Sequence, residues 1–221
     1  MKNYILAEDI KYAPIHLKGM MHEEFGENKY TEPMSYEWNH LFREKREMPK
    51  DLWLFTNNSI KFDYYEQFQG HIISRDFLKL MNEVNSLSSY VISNLEIVSS
   101  KGKPKVKKPY HFIKFYEREG LVDYEKSEFD IGNLTGLRNP DDPAMRVEKY
   151  HKIVFKEHNL DLFCLTDLHL ISYLFCSERF KNLCEEKKMK GILFVDIEDI
   201  PKYYYKGYNY ILSFSEGPKE N

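Results

Sequence analysis

The chain has 221 residues, 42% hydrophobic and 30% charged, so it carries enough apolar material for a folded core. Its net charge of −3 gives no sign of the basic face that nucleic-acid-binding proteins present, and we expect no nucleic-acid partner. No run reaches the roughly 20 apolar residues of a membrane span, and three cysteines are too few for a disulfide scaffold, so we expect a cytoplasmic protein without membrane contact.

The N-terminal third combines irregular chain with a few short elements. Residues 1–34 contain two prolines and no clear periodicity, and they predict irregular structure without a signal peptide. The stretch "SYEWNHLFREKREM" predicts a short helix that Pro49 ends. The stretch "DLWLFTNNSIKFDYY" predicts a hairpin that turns at Asn57 and Asn58.

A strand–helix–strand unit follows. The run "GHII" is typical of a strand, and Ser74 stands where a helix N-cap belongs. Apolar residues then recur at i, i+3, i+4 and i+7, which predicts one buried helix face. These residues are Phe77, Leu80, Met81 and Val84. The run "SYVISNLEIVSS" predicts the next strand.

The middle of the chain is rich in charge. The loop "KGKPKVKKP" is either a solvated turn or a contact for an acidic partner. The run "YHFIKFYER" alternates as a strand does, and four acidic residues come next. They are Asp123, Glu125, Glu128 and Asp130. They form a solvated turn, chelate a cation, or steer the protein toward a basic partner.

A second unit repeats the first. The run "LISYLFC" predicts a strand, Ser177 an N-cap, and Phe180, Leu183 and Cys184 a buried stripe. Gly191 is predicted as the helix C-cap, and "ILFVDI" as the next strand. The two units predict an α+β fold with mixed sheets and short helices packed on them. We expect one domain over residues 1–221, with repeated halves near 50–115 and 145–200.

Few residues offer catalytic chemistry. Asp167 and His169 fall on the same side of a predicted strand, which is compatible with an acid–base pair or half a metal site. No complete ligand set and no nucleotide-binding motif is present, so we predict neither metal nor cofactor. An alternative function is a hydrolase or nuclease that uses Asp167, His169 and the acidic residues.

The C-terminal tail contains many tyrosines. Tyr203, Tyr204, Tyr205 and Tyr208 lie within a few residues of one another. They predict either a final strand or an aromatic surface for a protein partner, because tyrosine is enriched at interfaces.

Three stretches in this order resemble a bacterial family of immunity proteins from polymorphic toxin systems, immunity families eleven and forty-three. The first is "HIISRDFLKLM", and the second is "YHFIKFYEREGLVDYEKSEF" with Asp123, Ser127 and Phe129. The third is "YLFCSERFKNLCEEKKMKGILF". Its matching residues are Ser177, Glu178, Arg179, Gly191 and Phe194. The resemblance covers roughly residues 60–196, and the first 50 residues and the tyrosine tail depart from it.

The resemblance implies a protein that binds a cognate toxin domain and blocks it without catalysis. Affinity would come from aromatic anchors, for which the tail tyrosines are the candidates. Orientation and association rate would come from the acidic residues Asp123, Glu125, Glu128 and Asp130.

Overall fold

The structure, a computed structural model, describes residues 2–26, 28–32, 47–86, 89–132 and 142–201. In these ranges, no helix is long and apolar enough to cross a membrane. The strands are β1 (Asn3–Glu8), β2 (Gly19–His22), β3 (Asp51–Thr56), β4 (Tyr64–Gln67), β5 (Gly70–Ser74), β6 (Tyr90–Val98), β7 (Tyr110–Phe115), β8 (Glu128–Ile131), β9 (Val147–Lys152), β10 (Leu162–Cys164), β11 (Leu174–Ser177) and β12 (Ile192–Asp196). The helices are α1 (Arg75–Asn82), the single turn α2 (Pro143–Arg146) and α3 (Glu178–Glu186), followed by a 3-10 turn at Ile197–Asp199.

The strands form a six-stranded sheet, a four-stranded sheet and a hairpin. The six-stranded sheet has the order β2-β3-β6-β7-β5-β4, with β3 and β6 parallel and the other neighbours antiparallel. The four-stranded sheet is antiparallel with the order β10-β11-β1-β12, and β8 pairs with β9. The predicted α+β class with mixed sheets is confirmed.

Both predicted strand–helix–strand units are present, and each has one strand inserted between its two parallel strands. In the first unit β5 and β6 both pair with β7, and in the second β11 and β12 both pair with β1. The inserted strand follows the first unit in the chain but precedes the second. The division into repeated halves near 50–115 and 145–200 stays a prediction. In the structure, β1 from the start of the chain lies between β11 and β12 in the second sheet.

Two sequence predictions in the N-terminal third are wrong. Residues 1–34 are not irregular throughout, because β1 and β2 lie there and Ile5 is fully buried between two strands. The hairpin at Asn57 does not form either, since β3 pairs with β2 and β6 while β4 pairs with β5. The first error concerns whether strands form and the second which strands pair, and in both cases the partners are distant segments of the chain. The helix predicted in "SYEWNHLFREKREM" falls mainly on residues outside the described ranges.

The six-stranded sheet is buried on both faces. Ile73 packs with both helices in one core, whereas Ile72 packs on the opposite face with Leu17 and Met21 from the N-terminal segment. This alternation follows the two-residue period of a strand. The helices meet through Phe77 and Phe180, whose ring centroids lie 5.7 Å apart in an edge-on arrangement.

Each helix begins at the predicted serine. The Ser74 hydroxyl accepts from the Phe77 amide at 3.3 Å and donates to Asp63 Oδ1 at 2.6 Å. In α3 the Ser177 hydroxyl bonds to the Phe180 amide and to Asp161 in the same way, at 3.2 and 2.6 Å. Because both carboxylates are buried, each cap is held by a charge-assisted hydrogen bond.

The two carboxylates also join the units to each other. Asp63 Oδ2 accepts from the Lys190 amide, just past α3, at 2.8 Å. Asp161 Oδ2 accepts from the Asn85 amide, just past α1, at 3.2 Å. The backbone repeats this exchange, since the amides of Asp63 and Asp161 donate to the carbonyls of Lys190 and Asn85, both at 2.7 Å. The start of each unit therefore binds the end of the other unit's helix.

The prediction of Gly191 as the C-cap of α3 is wrong. The helix ends at Glu186, and Lys188 adopts the left-handed conformation, with φ of 54°, that closes it. Gly191 has φ of 80°, and a Cβ there would lie 2.3 Å from the Phe62 Cβ. Glycine is needed at this position for its positive φ and for close packing against Phe62.

Candidate functional site

The acidic segment lies at the turn before β8 and in β8 itself. Asp123 is only 15% exposed in its side chain, and its carboxylate pairs with Lys126 Nζ at 3.0 Å. The side-chain hydrogen bond from Lys126, followed by the hydrogen bond from its amide and by its charge, lowers the pKa of Asp123. The Asp123 amide donates to the Val154 carbonyl at 2.8 Å, and its carbonyl accepts from the Ser127 amide at 2.9 Å. Asp123 therefore closes a turn and anchors it to the neighbouring segment.

The other residues of this family-like motif also hold the turn. The Ser127 hydroxyl accepts from the Val154 amide at 2.9 Å. The Phe129 ring packs edge-on against Tyr124 and Tyr150, with centroids 6.1 and 5.9 Å away. The spacing Asp-x-x-x-Ser-x-Phe thus encodes an anchored turn.

The remaining acidic residues are exposed. Glu128 lies 3.6 Å from Lys152 Nζ, and Asp130 lies 3.0 Å from His151 Nε2, in both cases across the β8–β9 hairpin. Glu125 is exposed on the turn. Lysines thus accompany two of these four carboxylates, Asp123 and Glu128, and the combined negative field is weaker than the sequence indicates. In the described part of the chain, no group of three His, Cys, Asp or Glu residues could hold a metal ion.

A cleft of about 970 Å³ opens beside this hairpin. Glu128 and Lys152 line it on one side, and Lys2 and Asp196 from the ends of β1 and β12 line the other. Its mixed charge does not favour one class of ligand.

Tyr203, Tyr204, Tyr205 and Tyr208 lie outside the described residues.

Asp167 and His169 lie close together, but their side chains do not form an acid–base pair. Asp167 is completely buried, and its Oδ2 accepts from the hydroxyls of Tyr124 at 2.9 Å and Tyr150 at 2.6 Å. Burial, with the Asp167 charge, raises the pKa of both tyrosines. His169 donates its backbone amide to Asp167 Oδ1 at 2.9 Å, while its Nε2 lies 2.7 Å from the Val147 carbonyl oxygen. Asp167 therefore organises a buried polar network.

The family-like motif of the second unit is structural as well. Arg179 Nη1 pairs with Asp161 Oδ2 at 2.7 Å, so it supports the carboxylate that binds the Ser177 cap. The Glu178 amide donates to the Lys2 carbonyl at 3.1 Å, and the Phe194 ring packs edge-on against Tyr4. Sequence reasoning missed Asp63 and Asp161, although each precedes its capping serine by one short hairpin.

The three cysteines are unpaired and buried. Burial raises the pKa of Cys164 and of Cys184 to about 12, and it also raises that of Cys176. A thiol that stays protonated is a poor nucleophile, so these residues serve as core side chains.

A smaller cleft, of about 250 Å³, lies beside the β4–β5 turn. Burial, and then the charge of Glu8, raises the pKa of Glu66 to about 8. Burial, and then the charge of Arg118, lowers the pKa of His71 to about 3. His71 Nδ1 lies 3.1 Å from the Tyr64 hydroxyl. Neither pKa shift could be predicted from the sequence, because the surroundings of Glu66 and His71 are built from several strands.

Comparison with known proteins identifies the family. The model of the family described as Immunity protein 43 matches residues 6–212. No curated protein matches the sequence. The match extends well beyond residues 60–196, which carry the resemblance, and takes in the second half of β1 and the four candidate tyrosines of the tail. The chain belongs to the immunity protein 43 family.

Proposed function

We propose that this protein binds a cognate bacterial toxin domain in the cytoplasm of the cell that produces it, and that it blocks the toxin by occlusion without catalysis. The observation that carries the proposal is the match of an immunity-protein family over residues 6–212. A polymorphic toxin system would supply the partner as the toxic domain of a secreted protein encoded beside this chain.

The geometry of the polar residues supports binding over turnover. The buried carboxylates Asp63, Asp161 and Asp167 are all engaged by side chains and backbone amides of this chain. A catalytic carboxylate must reach the proton that it transfers, within hydrogen-bond distance or through one water. Carboxylates that are engaged in this way stabilise the fold. We therefore expect the residues that contact a partner to lie on the surface.

Two groups of residues remain the sequence-derived candidates for toxin contact. The first is the acidic segment with Asp123, Glu125, Glu128 and Asp130, and the second is the tyrosine tail. Within the first group, Glu125, Glu128 and Asp130 are the members exposed enough to face a partner, since Asp123 is committed to its turn.

The test is a titration of the toxin. The toxin domain encoded next to the gene is expressed and its activity is measured at increasing ratios of this protein. Occlusion predicts that inhibition rises in proportion to the protein added, ends at a fixed ratio, and accompanies a complex isolated by gel filtration. Complete, time-dependent inactivation at a small fraction of that ratio would show turnover and contradict the proposal.

A further inference from the structure

A groove of about 530 Å³ lies between α1, α3 and the N-terminal loop, and lysines dominate it. They come from four separate stretches of the sequence. They are Lys61, Lys79, Lys108, Lys187, Lys188 and Lys190. Three carboxylates, Asp63, Asp76 and Glu83, line the same groove. A positive excess is therefore concentrated here in a chain whose net charge is −3.

Half of the lysines have no carboxylate partner among the residues that the structure describes. Lys79 pairs with Asp76, Lys108 with Asp63 and Lys187 with Glu83, which occupies all three carboxylates. Lys61, Lys188 and Lys190 are exposed and make no ion pair within the described residues. Lysines near the end of α3 also favour its dipole, but Lys61 precedes β4 and belongs to no helix.

The loop of residues 9–18 borders the groove and exposes apolar side chains. Ile10 is 71% exposed and Ile15 58%, two of the largest exposures of bulky apolar residues in the described ranges. Tyr12 lines the groove, with Lys11 Nζ 5.3 Å and Lys190 Nζ 5.8 Å from its ring centroid.

This loop is held in place. The Asp9 amide donates to the Gly191 carbonyl at 3.1 Å, and the Asp9 carbonyl accepts from the amides of Tyr12 and Ala13. The Tyr65 hydroxyl bridges the Pro14 carbonyl and the Leu17 amide, at 3.0 and 2.9 Å. An exposed apolar side chain on a fixed loop loses little conformational entropy when it binds a partner.

We propose that this groove and the loop of residues 9–18 form the contact surface for an acidic segment of the protein partner. The inference rests on the proposed function and names the chemistry of the toxin surface. Carboxylates would bind Lys61, Lys188 and Lys190, while apolar neighbours would cover Ile10 and Tyr12. An apolar centre beside charged residues is typical of protein interfaces, whereas nucleic-acid binding relies on extended basic surfaces.

The first experiment measures toxin binding by two charge-reversal variants. The groove variant carries Lys61→Glu, Lys188→Glu and Lys190→Glu. The control carries Lys50→Glu, Lys101→Glu and Lys103→Glu, which change the net charge equally but replace exposed lysines outside the groove. Circular dichroism and thermal melting establish that both variants are folded. We expect the groove variant to associate tenfold to a hundredfold more slowly, on the order of the effect of electrostatic steering, and the control to bind like the wild type. Equal binding by both variants would overturn the inference and leave the immunity function standing.

The second experiment uses simple probes, so that it works even if the toxin does not bind. A synthetic peptide that alternates glutamate with leucine, its lysine–leucine counterpart and a single-stranded RNA of equal length are titrated by fluorescence anisotropy. We expect only the acidic peptide to bind, with affinity that falls as salt is raised and is lost in the groove variant. Stronger binding of the RNA through the same lysines, or no binding of the acidic peptide, would contradict an acidic protein partner.

Discussion

At the scale of single residues, Glu66 and His71 make the stability of the fold depend on pH in opposite directions. Glu66 has a pKa of about 8 in the folded protein against an ordinary value of 4.5, so folding takes up a proton between these values. Its contribution to stability is present below pH 4.5 and is lost as the pH rises toward 8. His71 has a pKa of about 3 against 6.5, so its contribution is lost as the pH falls below 6.5.

The two slopes oppose each other between pH 4.5 and 6.5, and Glu66 dominates above that. In the folded protein, only Glu66 of these two groups changes its protonation between pH 6.5 and 8, because His71 is already neutral there. We expect the free energy of unfolding to fall by roughly 1–2 kcal/mol across this window, since one pKa unit corresponds to about 1.4 kcal/mol. Urea unfolding at both pH values measures it. Glu66→Gln should remove the decline, and the exposed control Glu125→Gln should keep it. A decline that persists in Glu66→Gln would assign it to another group.

Asp167 is the residue that best separates a structural from a catalytic role. Asp167→Asn removes the charge that Tyr124 and Tyr150 bind, and we expect a loss of roughly 1–3 kcal/mol in unfolding free energy. The folded fraction should still inhibit the toxin in the titration. Loss of inhibition with an unchanged melting temperature would instead support the hydrolase or nuclease alternative. In that case the His169→Gln variant should lose inhibition as the Asp167→Asn variant does.

At the scale of elements, the periodicity of the apolar residues located both helices, and the serines before them marked their N-caps. Phe77, Leu80 and Met81 are buried as the spacing predicts, and so are Phe180 and Cys184. The carboxylates that hold the caps were not predictable. Asp63 and Asp161 look like loop residues in the sequence, and only strand pairing brings them to the serines.

The caps and their carboxylates should act as units. Ser177→Ala should cost roughly 0.5–2 kcal/mol of stability, as the removal of other N-caps does. Asp161→Ala should cost more, roughly 3 kcal/mol, because it also removes the acceptor for Asn85 and Arg179. The two effects should not add in the double variant, since both remove the same hydrogen bond.

Chemical denaturation of the two single variants and the double variant measures the interaction free energy between Ser177 and Asp161. The variants Ser74→Ala and Asp63→Ala, alone and together, give the same double-mutant cycle for the first unit. Ser59→Ala, at an exposed serine, is the control and should change little. Additive effects within a unit would mean that the serine–aspartate bond contributes nothing to stability. If the Ser177→Ala variant remains folded but no longer binds the toxin, Ser177 is a contact residue.

The pairing of strands could not be predicted from the local sequence pattern. Residues 4–7 are apolar, as in a buried strand, but nothing in this stretch indicates that β11 and β12 are its neighbours. Asn57 follows β3 as a turn residue should, but its side chain accepts from the Ser100 amide at 3.2 Å and not within a hairpin. Local sequence thus determined element type better than it determined topology.

At the scale of the whole molecule, the two units interlock, and surfaces form from segments far apart in the chain. The acidic segment was recognisable in the sequence because its carboxylates lie within eight residues of one another, but the side chains of Lys152 and His151 that face it come from β9. The lysine groove could not be seen in the same way. Its lysines are distributed over four stretches and converge only because the end of each helix packs against the start of the other unit.

The acidic segment and the lysine groove lie at opposite ends of β1. The cleft beside the acidic segment is lined by Lys2 and Asn3, whereas the groove adjoins the loop after Glu8. A six-residue strand spans roughly 17–20 Å, about twice the Debye length of ~8 Å at physiological salt. A charge change at one end should therefore have little electrostatic effect at the other, and the two surfaces can be tested independently.

The acidic segment should contribute little to the electrostatic steering of the toxin. Glu125→Lys, Glu128→Lys and Asp130→Lys reverse its exposed charges and spare Asp123, whose side chain holds the turn. Because Lys152 and His151 already accompany Glu128 and Asp130, we expect folding and the toxin association rate to change little, by less than about threefold. Stopped-flow association with the toxin domain at several salt concentrations measures this, with the groove variant in parallel. If the hairpin variant instead associates tenfold more slowly and loses its salt dependence while the groove variant is normal, the toxin presents a basic surface to β8, and the acidic segment is the contact that the sequence first indicated.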